Sequence, residues 1–157
     1  NNRLVFWVLW GFNMETVLLF CDDEKLFDIT KRITEGKYKL VRRTYHNLKT
    51  NRYPFADVVI MYFDRAKMKK STFEFIVKVK GELGQLVPIL AVIEEGSAQD
   101  IFSVLEAGIF DYIEVTDNLQ KYAKKIEELF LWGWYLRKYE FLEKRGCREI
   151  DNLKQEQ

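Results

Sequence analysis

Four consecutive residues, Cys21-Asp22-Asp23-Glu24, carry the densest chemistry in this chain. They follow the apolar run Val17-Leu18-Leu19-Phe20 and precede an amphipathic stretch that starts at Leu26. Adjacent carboxylates repel each other. A fold that gathers them where a buried strand ends can use them to hold a hard cation or to meet another charged group. The C-terminal edge of a parallel sheet is also where open α/β folds place their sites. The plainer role is a solvated loop whose aspartate caps the next helix. A third carboxylate, Asp64, ends the apolar run Val58–Phe63. Asp22, Asp23 and Asp64 are therefore the candidate cation-binding set, expected to converge at one sheet edge.

The elements that must position them follow from periodicity. Thr16–Cys21 is a continuous apolar run, the pattern of a strand buried on both faces. Glu24–Thr34 places Leu26, Phe27, Ile29 and Ile33 at helical spacing, and Gly36 stops it. Tyr38–Tyr45 alternates as a strand does. His46–Phe55 is polar and holds a short helix or loop ended by Pro54. Val58–Phe63 is a buried strand and Lys67–Lys70 a basic loop. Thr72–Leu83 is an amphipathic helix, Pro88–Ile93 a buried strand, Ala98–Ala107 a helix closed by Gly108, and Tyr112–Val115 a short strand. From Leu119 the helical pattern runs on. Strands alternating with helices predict a parallel sheet covered on both faces, a three-layer α/β sandwich with right-handed crossovers.

Bulk properties exclude several classes. A chain of 157 residues, 48% hydrophobic and 31% charged, is long enough and apolar enough to fold around its own core. With 25 basic and 24 acidic residues, nothing marks a nucleic-acid-binding surface. Cys21 and Cys147 are too far apart in sequence to suggest a disulfide framework or a zinc site. His46 lies in a polar stretch and is assigned no role. The apolar segment Leu4–Trp10 is too short to span a bilayer and lacks the features of a secretory signal, so the cytoplasm is the expected compartment. Residues 1–13 read differently from the rest, and Met14-Glu15-Thr16-Val17 looks like a natural start. The leading segment is expected to be an appended remnant, with an extra strand as the alternative.

Several segments acquire a joint meaning from their order. Leu18-Leu19-Phe20-Cys21-Asp22-Asp23-Glu24 is an apolar strand, then Asp-Asp-Glu, then a helix. Val59-Ile60-Met61-Tyr62-Phe63-Asp64 is a strand ending in Asp. Phe73-Glu74-Phe75-Ile76 opens the next helix, Val87-Pro88-Ile89-Leu90-Ala91-Val92 is an apolar run with Pro near its head, and Ala107-Gly108-Ile109-Phe110-Asp111-Tyr112-Ile113 leads into the last strand. Over residues 14–130 the chain resembles the receiver domain of two-component response regulators, the CheY-like superfamily. The resemblance implies a flavodoxin-like (βα)5 sandwich with strand order 2-1-3-4-5. It implies a phosphoacceptor at Asp64, Mg²⁺ held by Asp22, Asp23 and Asp64, and a sensor histidine kinase or output domain as partner. It implies a signal-transduction module, not an enzyme.

The chain departs from that pattern where the chemistry is completed. Ile93-Glu94 stand where the family has Thr or Ser and then usually Ala. Val115-Thr116 stand where it has Lys-Pro. The loop after Asp64 lacks the usual Pro and Asp-Gly. A competing register makes Asp57 the acid that opens the third strand and puts Tyr62 in the phosphoacceptor position. Asp64 is favoured because the following helix then aligns without a gap. Phosphoryl transfer to a carboxylate needs charge neutralisation on the phosphate oxygens. Losing one preorganised donor costs roughly 2.7–4 kcal/mol of transition-state stabilisation, and here a hydroxyl and a lysine are both replaced. Phosphorylation of Asp64 is thus expected to be weak or absent, with Lys67, Lys69 or Lys70 as partial compensation. The alternative is a small enzyme on the same sheet, such as a Mg²⁺-dependent phosphatase with an Asp nucleophile. Such enzymes carry a second Asp two residues on, where this chain has Ala66, and the sequence holds no GxGxxG, P-loop, nucleophile elbow or HExxH.

Residues 131–157 are expected to form a coiled-coil-like helical extension. Leu129, Trp132, Leu136, Tyr139, Glu143, Gly146, Ile150 and Leu153 alternate spacings of three and four, which is a heptad seam. It predicts a parallel homodimer through Leu129, Trp132, Leu136, Tyr139, Ile150 and Leu153, loosened at Glu143 and Gly146. A helix folded back on its own domain is the alternative.

Overall fold

Apolar runs of strand length can satisfy their backbone only by pairing and their side chains only by being covered. Here the five runs form β1 (Thr16–Phe20), β2 (Lys39–Arg43), β3 (Val58–Phe63), β4 (Ile89–Ile93) and β5 (Asp111–Glu114). They make one sheet in the order β2-β1-β3-β4-β5, and every pairing is parallel. The connecting helices are α1 (Glu24–Thr34), α2 (Tyr45–Lys49), α3 (Thr72–Leu83), α4 (Ala98–Ala107) and α5 (Leu119–Gln155). This computed structural model describes residues 14–49, 54–65, 72–115 and 118–156. The expectations for residues 1–13 and for the basic loop Lys67–Lys70 lie outside the described residues. Among the described residues, no helix is long and apolar enough to cross a membrane.

Because side chains alternate along a strand, the sheet feeds two cores. Phe20, Met61, Phe63 and Ile93 pack with Ile76 and Val79 of α3 and Val104 of α4. Leu19, Ile60, Tyr62 and Val92 pack with Leu26 of α1 and Tyr122, Ile126 and Leu129 of α5. β3 is buried along its whole length, whereas the edge strand β2 is only half-buried. The helix boundaries have local causes. Asp23 caps α1, its carboxylate accepting the Lys25 N–H at 2.8 Å. Ser97 and Asp100 form a reciprocal capping box on α4, and Gly108 ends it at φ +108°, a conformation that favours glycine.

The first part of α5 lies close on the domain. Gly133 allows this approach, since a Cβ there would meet the Pro88 ring at 3.3 Å. Leu129, expected in an intermolecular seam, is instead fully buried in its own domain. The correction has a simple cause: the sheet face carrying Ile60, Val92 and Ile113 is apolar, and this stretch of helix packs on it. Trp132 also leans on its own domain, its ring stacked on Phe110 with centroids 5.3 Å apart.

A buried hydroxyl pair links α1 to α5. Thr30 Oγ1 donates its only hydrogen to the Leu26 carbonyl at 2.8 Å, so at the 2.7 Å contact with Tyr122 it is the tyrosine that donates. Thr30→Val orphans a buried donor and is expected to cost about 1–3 kcal/mol; Tyr122→Phe leaves the Thr30 hydrogen satisfied and should cost about 1 kcal/mol or less. Urea unfolding of both variants checks the order. Burial also raises the pKa of the Tyr122 and Tyr45 phenols and pushes the Cys21 thiol up to about 11. Groups held protonated in the folded chain contribute stability that is complete below their unfolded pKa and lost as pH rises through the folded one. The urea midpoint should therefore fall above about pH 9, where an unfolded thiol begins to ionise. A midpoint that holds steady to pH 10.5 would contradict this assignment.

Candidate functional site at the C-terminal edge of the sheet

The β1–β3 register, with Phe20 opposite Met61, brings the residues after each strand to the same edge. Asp22 is exposed there, and Asp23 and Asp64 are half-buried. Their fields overlap: Asp22 and Asp64 both raise the pKa of the Tyr45 phenol, and Asp23 and Asp64 both raise that of Tyr62. The acids thus share one neighbourhood. Their oxygens have the hardness that Mg²⁺ prefers, but Asp23 is committed to the α1 cap. Among the described residues, no three His, Cys, Asp or Glu side chains are grouped to hold a metal ion.

At the centre of this edge stands a phenol. Tyr62 lies within β3, opposite Val92, and is 5% exposed. Its hydroxyl donates to the carboxylate of Glu94, the first residue after β4. Glu94 is anchored in turn, its N–H donating to the Phe63 carbonyl at 3.0 Å. Burial raises the pKa of the Tyr62 phenol, and the bond to Glu94 and the nearby acids act in the same direction. The group is a permanent donor within an acidic rim. Glu95, in the left-handed region at φ +53°, pairs with Arg65, which ties the loop after β4 to the loop after β3. Arg42 is bound to Glu24 at 2.7 Å and to the Cys21 carbonyl at 3.1 Å. Asp57 opens β3, its carboxylate accepting the Thr16 N–H at 2.7 Å.

The two positions where the resemblance implies donors are apolar. Ile93 is fully buried beside Phe63 in the core. Val115 follows β5 and lines a cavity of about 120 Å³ with Asp23, Leu26, Ile29, Ile113 and Leu119. Lys67, Lys69, Lys70 and Thr116 lie outside the described residues. The Tyr62–Glu94 contact is the part of the edge that the residue types do not announce. The available signals are a tyrosine interrupting an otherwise oily strand and an acid immediately after the next one.

No protein-family model matches the sequence, and no curated protein matches it. Solved structures do. A CheY-like response regulator receiver domain protein from Methanospirillum hungatei JF-1 superposes with a TM-score of 0.65 at 21% identity, over 78% of this chain and 98% of that one. Full-length FixJ from B. japonicum matches at TM-score 0.64 and 14% identity, over 88% of this chain and 68% of that one. A structure described as an adenylate cyclase from Rhodopirellula baltica matches at TM-score 0.65 and 16% identity, over 84% and 98%. With the strand order β2-β1-β3-β4-β5 and the alternating helices, these likenesses establish that the chain has the flavodoxin-like fold of CheY-like response regulator receiver domains.

Proposed function

We propose that the chain is a divergent receiver module of the two-component type, one that regulates a partner or output domain through homodimerisation and not through phosphoryl transfer at Asp64. The observation that carries this reading is the pair Ile93 and Val115. Each replaces a donor that a phosphorylated carboxylate needs, and neither side chain can neutralise charge. The Tyr62–Glu94 bond adds to the effect, because it brings one further carboxylate to an edge that already holds Asp22, Asp23 and Asp64. An incoming phosphoryl group meets net repulsion there.

The likeness in fold to receiver domains favours a switch or scaffold over an enzyme. Mg²⁺ needs only hard oxygens. This reading keeps Asp22, Asp23 and Asp64 as its ligands, at the cost of releasing Asp23 from the helix it caps. A sensor histidine kinase or an output domain remains the class of partner to which such a module answers.

The direct test is intact-mass spectrometry after incubation with acetyl phosphate and Mg²⁺. The expected spectrum shows the unmodified chain alone. Stoichiometric labelling of Asp64 would overturn the reading. The double variant Ile93→Thr, Val115→Lys supplies the missing hydroxyl and ammonium, and its labelling should exceed that of the parent by at least about 100-fold, the effect of a single restored donor.

A further inference from the structure

The last helix carries more apolar surface than its own domain covers. Tyr122, Ile126, Leu129 and Gly133 face the sheet, and Gly133 is the last buried residue of α5. The helix has 37 residues, a length of about 55 Å. Beyond Gly133 it carries large apolar side chains into solvent: Tyr135 is 52% exposed, Tyr139 69%, Leu142 52% and Leu153 64%. At about 100° per residue, these fall on one stripe lying about 150° around the helix from the buried face.

We infer that this stripe pairs with the same stripe of a second copy, in parallel and in register, along Trp132, Tyr135, Tyr139, Leu142 and Leu153. The inference rests on the dimerisation proposed above and refines where it happens. The seam is rotated from the one that spacing alone suggests. Leu129 is spent on the domain's own core, and the half-buried Leu136 lies on that side of the helix. Rotation takes Glu143 out of the seam and brings Leu142 in, which moves the charged position further down the helix. Gly146 and Glu149 then occupy the positions below Leu142, which makes the contact tightest between Trp132 and Leu142.

Charge and area favour a second copy as the occupant. In a parallel pair, Lys138 precedes a seam position and faces Glu143 of the partner subunit, an attractive contact made twice by symmetry. Lys138 now rests over Trp134 of its own helix at 4.8 Å, on an exposed surface from which it can swing. The exposed parts of the stripe come to roughly 500–600 Å² per chain, so a dimer buries on the order of 1,000–1,200 Å², at the small end of specific interfaces.

Light scattering of the intact chain at tens of micromolar should give a dimer. Leu142→Lys should give a monomer with unchanged helix content by circular dichroism. Glu143→Leu removes the Lys138 contact and should leave the dimer no tighter than the parent, whereas a seam through residue 143 would tighten it more than tenfold. With Cys147→Ser, Tyr139→Cys and, in a separate variant, Leu153→Cys should each form a disulfide-linked dimer on oxidation, because only parallel, in-register pairing places both residues opposite themselves. A monomeric parent overturns both this seam and the dimerisation reading. A dimer indifferent to Leu142→Lys, or one that residue 139 or residue 153 cannot cross-link, overturns this seam alone.

Discussion

β3 carries six consecutive side chains into the interior, three to each face of the sheet. A strand in that position leaves no exposed surface of its own. It must be flanked by β1 and β4 and roofed by helices above and below, and the order β2-β1-β3-β4-β5 is how the chain meets that demand. The same constraint creates the functional edge. Parallel strands end together, so the first polar residue after each one is delivered to the same rim. Asp22, Asp64 and Glu94 each follow one of three oily strands that stop at this rim.

What this edge can do is set by which donors accompany the acids. Gathered carboxylates attract cations and repel phosphate unless donors offset their charge. Among the described residues, Arg42 and Arg65 are each bound to an acid, Glu24 and Glu95. Tyr62 is held as a neutral donor by burial and by Glu94. Electrostatics of this kind favour a fixed local structure over one that rearranges with covalent modification. The long α5 offers another variable, the association of its exposed stripe, and that stripe is rooted through Tyr122 and Thr30 in the same core that β3 organises.

Most of the fold was legible in the sequence. Continuous apolar runs marked β1, β3 and β4, and Gly36 and Gly108 marked helix ends that the backbone confirms with positive φ. The cap role of Asp23 was legible too, from an aspartate just before an amphipathic run. Two features were not. The Tyr62–Glu94 bond joins residues 32 apart in sequence, and no local pattern pairs a strand tyrosine with an acid that follows the neighbouring strand. The face of α5 was also hidden, because heptad spacing fixes a seam's periodicity but not its rotation. Which side of the helix turns inward was set by the apolar face of the sheet, which buries Leu129.

The central claim is that association, not phosphorylation, sets the state of this module. The most direct measurement is the dimer dissociation constant of the intact chain by sedimentation, with and without acetyl phosphate and Mg²⁺. The account predicts the same constant under both conditions. A dimer that strengthens or weakens tenfold on adding the phosphodonor, with Asp64 labelled in the same sample, would contradict it.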